Sequence, residues 1–310
     1  MTLEKILKDF RKFGISAGKK TEVEFLPTGL PTLDAILGGG FPKGRISEVF
    51  GHYSTGKTAL ASTLIANAQK QSMVCLYANV EATFDYNFAE KLGVDTEKLL
   101  TLTCDFAEDY LTAIEKLIME KAVDVIVVDS LEALVPRAEK EADYDQTLVG
   151  YRARLLSRFV LRIIPSLKKT EIVLVFINQL RAGINFFTGK NFEITPGGQA
   201  IKYNTSLRLE LKKTFALKSG DTLVGYTIVA KVEKNKCANP GGTVELKFFL
   251  DSGFSAEADL LNAALAKGVL KKEGNTLWFG EIKIGVGMAK AREFLKANQE
   301  IMEQIAALSQ

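Results

Sequence analysis

Gly51-His52-Tyr53-Ser54-Thr55-Gly56-Lys57-Thr58 is the stretch on which the fold turns. It fits G-x-x-x-x-G-K-[ST] in full, and it stands between RISEVF (45–50), which reads as a strand, and a helical pattern beginning after Thr58. Gly51 and Gly56 let successive backbone N–H groups turn inward around a phosphate, with Ser54 and Thr55 between them, and the helix N-terminus adds positive potential. Lys57 can reach the outer phosphates, and the Thr58 hydroxyl can ligate magnesium. The alternative, a glycine-rich turn that binds nothing, leaves the strand-loop-helix setting unexplained.

Outward from this loop the chain alternates. Strands are expected at 73–79, 99–104, 123–130 and 171–178, with helices at 85–92, 107–121 and about 146–169 between them. The strands VDVIVVDS and EIVLVFIN are almost wholly apolar, which predicts an α/β fold with a mostly parallel sheet covered by helices on both faces. Later strands are expected at 205–213, 224–235 and 243–250. The glycine- and phenylalanine-containing stretch 181–200 reads as a loop, and a loop of that length inside a compact domain is usually functional or mobile. Residues 3–13 form a short amphipathic helix on a tether, and 256–310 read as a helix, short strands around Trp278 to Ile284, and two helices. The expected division is 1–32, an N-terminal helix and linker; 33–253, the core; and 254–310, a small α+β C-terminal domain.

Asp129 ends VIVVD at the carboxyl edge of the sheet, where parallel sheets bind ligands, and is the candidate carboxylate for magnesium beside Thr58. Glu81, just past the strand VCLYANV, is placed to orient or deprotonate water; its plain alternative is a surface loop carboxylate. Asn178 and Gln179 end another apolar strand at the same edge, where an amide can sense a γ-phosphate or simply cap the strand.

Composition narrows the chemistry further. The 310 residues are 47% hydrophobic and 25% charged, which excludes disorder and coiled coil. Forty Lys and Arg against 37 Asp and Glu leave +3, so any nucleic-acid site must rest on local charge. One histidine, His52, excludes a multi-histidine metal centre. Cys75, Cys104 and Cys237 are odd in number and far apart, which argues against a disulfide framework and for a reducing cytoplasm. No signal core or run of eighteen apolar residues is present, so the chain reads as soluble, unsecreted and without a membrane partner.

Together, GHYSTGKT, NVEATFD, KAVDVIVVDSLEALVPRAE, VFINQLR, PGGQAIKY with SLRLEL, and KVEKNK resemble the RecA family of DNA recombinases, in order and at near-constant spacing from about Leu33 to about Ala297. The resemblance implies an ATPase with ATP and Mg2+ as cofactors. It makes Lys57, Thr58 and Asp129 the phosphate and metal set, Glu81 the residue that activates water, and Gln179 its catalytic partner. Asp85 and Phe88 fall where the family holds adenine, and Pro240 joins the nucleotide set. Lys234 and Lys236 match a pair that reaches the neighbouring protomer's ATP, with Tyr203 at the same interface; by spacing alone, two lysines at i and i+2 are a solvated sheet edge.

The implied partners are single-stranded DNA, double-stranded DNA and further copies of the chain in a helical filament. Two segments resemble the family's DNA loops, about 141–150 and 180–198, implying contacts from Val149, Gly150, Arg154, Ser157, Arg181, Ile184, Gly197 and Gly198. Glycines allow close backbone approach, Arg154 and Arg181 can neutralise phosphates, and Ile184 can wedge between bases; the plainer readings are a solvated helix face for the arginines and a packing patch for Phe186 and Phe187. The second loop departs from the family pattern around Phe186-Phe187-Thr188, while both its anchors are intact. The region before Leu33 is short, so an altered filament contact is expected. The chain ends LKANQEIMEQIAALSQ without an acidic tail, so less restrained duplex binding is expected. The C-terminal lysines 267, 271, 272, 283, 290 and 296 suit duplex capture. Competing readings are a ring-forming motor on the same core and a mediator that binds ATP without hydrolysing it.

Overall fold

The computed structural model describes residues 2–13, 22–143, 150–184 and 191–309, of which 182–184 and 191–193 by backbone alone. A nine-stranded sheet organises the chain. Its order is Gly253–Phe254, Thr243–Phe249, Thr222–Asn235, Leu207–Ser219, Arg45–Gly51, Val173–Gln179, Val125–Asp129, Cys75–Asn79 and Leu100–Leu102. From Leu207–Ser219 to Leu100–Leu102 all pairings are parallel, and the far side is extended by antiparallel strands.

The apolar runs are buried on both faces, as parallel strands must be. Val125 and Val127 pack with the helices Pro31–Leu37 and Lys57–Lys70, whereas Ile126 and Val128 face Ala107–Glu120 and Tyr151–Leu167. The C-terminal unit has its own core, in which Leu260, Leu261, Leu277, Ile284, Leu295 and Ile305 bring together the helices Ala256–Ala266, Gly287–Ala297 and Gln299–Leu308 and a three-stranded antiparallel sheet. Among the described residues no helix is long and apolar enough to cross a membrane.

The structure corrects several expectations. The stretch 181–200 is not all loop: Arg181–Ile184 pairs antiparallel with Asn191–Ile194, and Gly198–Asn204 is a helix anchored by fully buried Ile201. The strands expected at 205–213 and 224–235 form one long hairpin, Leu207–Ser219 with Thr222–Asn235, closed through Gly220 in the left-handed region. Its outer half (KKTFALKS) runs past the strand Arg45–Gly51, pairs only with Thr222–Asn235 and is largely solvated, so it carries no period-2 signal. The helix Pro31–Leu37 runs across residue 33, and Leu26 and Leu30 already belong to the main core. The N-terminal helix is Leu3–Phe10 followed by a short 3-10 turn, and none of its residues is buried.

Two carboxylates, half-buried Asp34 and buried Asp259, tie down the helix Pro31–Leu37. Asp34 accepts hydrogen bonds from the N–H and hydroxyl of Thr28, both at 2.8 Å, and Asp259 of the C-terminal unit accepts from the Thr32 N–H at 2.8 Å. Burial pushes the Asp34 carboxyl up to about 6. An acid whose folded value is raised binds more protons folded than unfolded between its ordinary value, 3.8, and about 6, so the stability it contributes falls as pH rises through that window. Asp34→Asn, which cannot titrate, is therefore expected to gain on the wild type by on the order of 2 kcal/mol between pH 4.5 and 7. Urea unfolding at the two pH values measures this, and parallel pH dependence of both proteins would count against it.

Candidate functional site

The phosphate loop hangs between the strand Arg45–Gly51 and the helix Lys57–Lys70. A Cβ at Gly51 would lie 2.2 Å from the Leu211 carbonyl oxygen, so only glycine fits beside the neighbouring strand. Gly56 caps the helix with φ of +83°. The Lys57 ammonium is almost buried and donates to the carbonyls of Gly51 at 3.1 Å and His52 at 2.7 Å. Burial pushes its pKa down, opposed by Asp129, Glu81 and Glu132. Thr58 Oγ1 donates to Asp129 Oδ2 at 2.7 Å, and the Tyr77 hydroxyl donates to the same oxygen at 2.5 Å. Burial raises the Asp129 carboxyl, and these two hydrogen bonds oppose the shift.

These groups open onto a cleft of about 380 Å³ that also touches Ser54, Thr55, Phe88, Glu81 and Gln179. Ser130 Oγ donates to Glu81 Oε1 at 2.5 Å, and Gln179 Nε2 donates to the same atom at 3.1 Å. The carboxylate past one strand and the amide ending another thus meet directly. Asp85 does not line the cleft; it caps the helix Tyr86–Lys91 by accepting from the Phe88 N–H at 2.9 Å.

Lys234, Lys236 and Pro240 also lie off this chain's own cleft. Pro240 is exposed on the turn before Thr243–Phe249. Both lysines close the carboxyl end of the helix Gly198–Asn204: Lys234 Nζ donates to the carbonyls of Lys202 at 2.5 Å and Tyr203 at 3.0 Å, and Lys236 Nζ to Tyr203 at 3.0 Å. Neither is therefore a simply solvated edge residue. Burial, then Lys236 and Arg208, push Lys234 down to about 8. The Tyr203 side chain beside them is 69% exposed.

The described ends of the two expected DNA segments meet the same helix. Gly150 caps the helix Tyr151–Leu167, and the Gly197-Gly198 turn rests on that helix, where a Cβ at Gly198 would sit 3.2 Å from the Ala153 Cβ. Arg154 is exposed one turn into the helix, with Ser157 half-buried beyond it. Arg181 Nε donates to Glu132 at 2.5 Å, and the arginine side chain stays more than half exposed. Arg152 is likewise engaged, with Glu139 at 3.1 Å. Val149, most of the segment 141–150, the Ile184 side chain, Phe186 and Phe187 lie outside the described residues.

Several contributors carry no sequence signal. Tyr77 is an apolar-looking strand residue, and Ser130 follows a strand like many serines, yet each donates to a site carboxylate. Tyr226 and Phe248 reach the cleft from the antiparallel strands, and Leu250 from the turn that follows. Which ligand wall they meet depends on strand order.

The model of the RecA N-terminal domain matches residues 1–255, and that of the RecA C-terminal domain matches 258–308. Protein RecA of Thermus aquaticus is 42% identical over 315 residues, spanning 99% of this chain and 92% of its own length. The corresponding protein of Chloroflexus aurantiacus is 38% identical over 312 residues, at 99% and 89% coverage, and that of Lactobacillus johnsonii is 37% identical over 309 residues, at 98% and 86%. A phosphate loop, a strand-end carboxylate and a Glu–Gln contact at one sheet edge, with both domain matches in sequence, make this chain a member of the RecA family.

Proposed function

We infer that this chain is an ATP-dependent homologous recombinase: a DNA-stimulated ATPase that assembles on single-stranded DNA, pairs it with homologous duplex and exchanges strands. The observation that carries this reading is the Gln179–Glu81 hydrogen bond at 3.1 Å, since Gln179 lines the phosphate cleft and immediately precedes the second DNA segment. A group bound at the phosphates therefore has a direct route to the loop.

Family membership implies a nucleotide, and the donor set suits ATP with Mg2+. Thr58 and Asp129 offer one hydroxyl and one carboxylate, and among the described residues no group of three or more acidic, histidine or cysteine side chains stands ready as a metal cage. That is the pattern for magnesium, which keeps waters and shares phosphate oxygens. When bound, it supplies charge neutralisation at the transferring phosphoryl group. Lys57 binds the outer phosphates, Glu81 accepts a proton from the attacking water, and Gln179 and Ser130 hold its carboxylate in place. Phe88 offers an apolar wall for the base.

Lys234 and Lys236, with exposed Tyr203, act on the nucleotide of the neighbouring protomer. Head-to-tail contacts of this kind that do not close generate a helical filament. Arg154, Ser157 and the Gly150 and Gly197-Gly198 turns contact the DNA backbone. Residues 254–310 add exposed Lys271, Lys272, Lys283, Lys290 and Lys296 for duplex capture. Sequence is then read by base pairing rather than by the protein. Three free cysteines suit a cytoplasmic location.

Steady-state ATP hydrolysis with and without single-stranded DNA, titrated in protein and salt, tests the reading. Cooperative stimulation that weakens with salt is expected. Hydrolysis indifferent to DNA in a folded protein would overturn it and favour a mediator or a motor with another substrate.

A further inference from the structure

Glu48 is fully buried in the strand that leads into the phosphate loop. A carboxylate there is unfavourable unless its oxygens are well hydrogen-bonded, and each of them faces a different element. Oε2 accepts from Arg208 Nε at 2.5 Å, and Oε1 accepts from Asn178 Nδ2 at 2.9 Å. Asn178 Nδ2 also donates to the Pro196 carbonyl at 2.8 Å, while Asn178 Oδ1 accepts the Gln179 N–H at 3.1 Å. Arg208 extends through Nη2 to Thr195 Oγ1 at 3.5 Å, and its guanidinium lies 4.4 Å from the Phe50 ring centre. On the adjoining strand Arg208 is the register partner of Lys234.

Gln179 immediately precedes the second DNA segment, and Thr195 and Pro196 lie near its far end, just before the Gly197-Gly198 turn. One buried carboxylate thus reaches both ends of that segment, one residue from the amide that contacts Glu81. Neither Glu48 nor Arg208 lines the nucleotide cleft. Burial obliges the carboxylate to find partners but not to find them on both flanks of one loop, and buried ion pairs are in any case weak contributors to stability compared with apolar packing. We propose that Glu48 and Arg208 are positioning residues, a clamp that sets both ends of the second loop against the phosphate loop and so makes hydrolysis respond to DNA. The proposal rests on the DNA-stimulated ATPase reading above.

The test is the ratio of DNA-stimulated to DNA-free turnover in the full-length protein, with KM for ATP determined in parallel. Arg208→Lys keeps a cation for Glu48 but loses the planar fork that also reaches Thr195. It is expected to lower the ratio roughly tenfold, with KM for ATP and DNA-free turnover within about twofold of wild type. A merely structural role would lower both turnovers and the melting temperature together and leave the ratio unchanged. Should Arg208→Lys fail to fold, the double variant Glu48→Gln/Arg208→Gln replaces the buried charges by a neutral pair and is read in the same way, with the same loss expected. An undiminished ratio in a folded variant, beside a stimulated wild type, overturns the clamp alone. A wild type that DNA does not stimulate overturns the functional reading, and the clamp with it.

Discussion

Glu81→Gln is expected to lower ATP turnover about 10³-fold while ATP affinity stays within a few-fold of wild type. The substitution is isosteric, and its amide oxygen can still accept from Ser130 and Gln179, the two donors that meet Glu81 Oε1. What disappears is the group able to take a proton from the attacking water. In the proposed site the phosphate contacts fall to Lys57, Thr58 and the loop backbone, so binding and turnover are expected to separate in this variant. Steady-state hydrolysis paired with equilibrium titration of a fluorescent ATP analogue reads both. Unchanged turnover would remove Glu81 from the catalytic role. A parallel fall in affinity would mean that the carboxylate holds the cleft's shape rather than the proton.

The second large effect is expected at the lysine pair. Joint replacement of Lys234 and Lys236 by Ala should leave ATP binding by dilute protein intact, because neither residue touches the chain's own cleft. DNA-stimulated turnover should fall roughly 100-fold and lose its steep dependence on protein concentration, as is usual when a preorganised cation at a transferring phosphate is removed. Both side chains also close the helix Gly198–Asn204, so local stability should drop by about 1 kcal/mol. Lys234→Arg separates the two roles through pH. In the isolated chain Lys234 is held down at about 8, so above that pH assembly must first protonate it, and assembly-dependent turnover should fall as pH rises from 7 to 9. Arginine stays charged and should flatten the profile. The stability sign is opposite: the unfolded chain binds more protons between about 8 and 10.5, so stability rises with pH there. Turnover and stability moving together would contradict the assignment.

Reading the site from sequence works where the chemistry is local and stops where it is not. The phosphate loop is eight consecutive residues whose backbone must turn in one way, and Asp129 is marked by the apolar run it ends. The Lys234 and Lys236 pair was legible only through the family resemblance, since the same spacing describes any solvated strand edge. Nothing near Arg181 in the sequence announces its contact with Glu132, 49 residues away. The stretch KKTFALKS in the hairpin Leu207–Ser219 with Thr222–Asn235 shows no period because it is largely solvated.

By itself the sequence determined the α/β class, the phosphate loop, the strand-end carboxylate and the order of the core strands along the chain, because propensity, burial period and motif geometry act over a few residues. Only the tertiary structure decided that Tyr77 and Ser130 attend the site carboxylates, that Gln179 meets Glu81, and that Glu48 joins Arg208 and Asn178 across 160 and 130 residues of chain. The physical reason is strand order: a buried polar side chain must find its partner on whichever strand lies alongside, and that neighbour is set by sheet topology rather than by anything near it in the sequence.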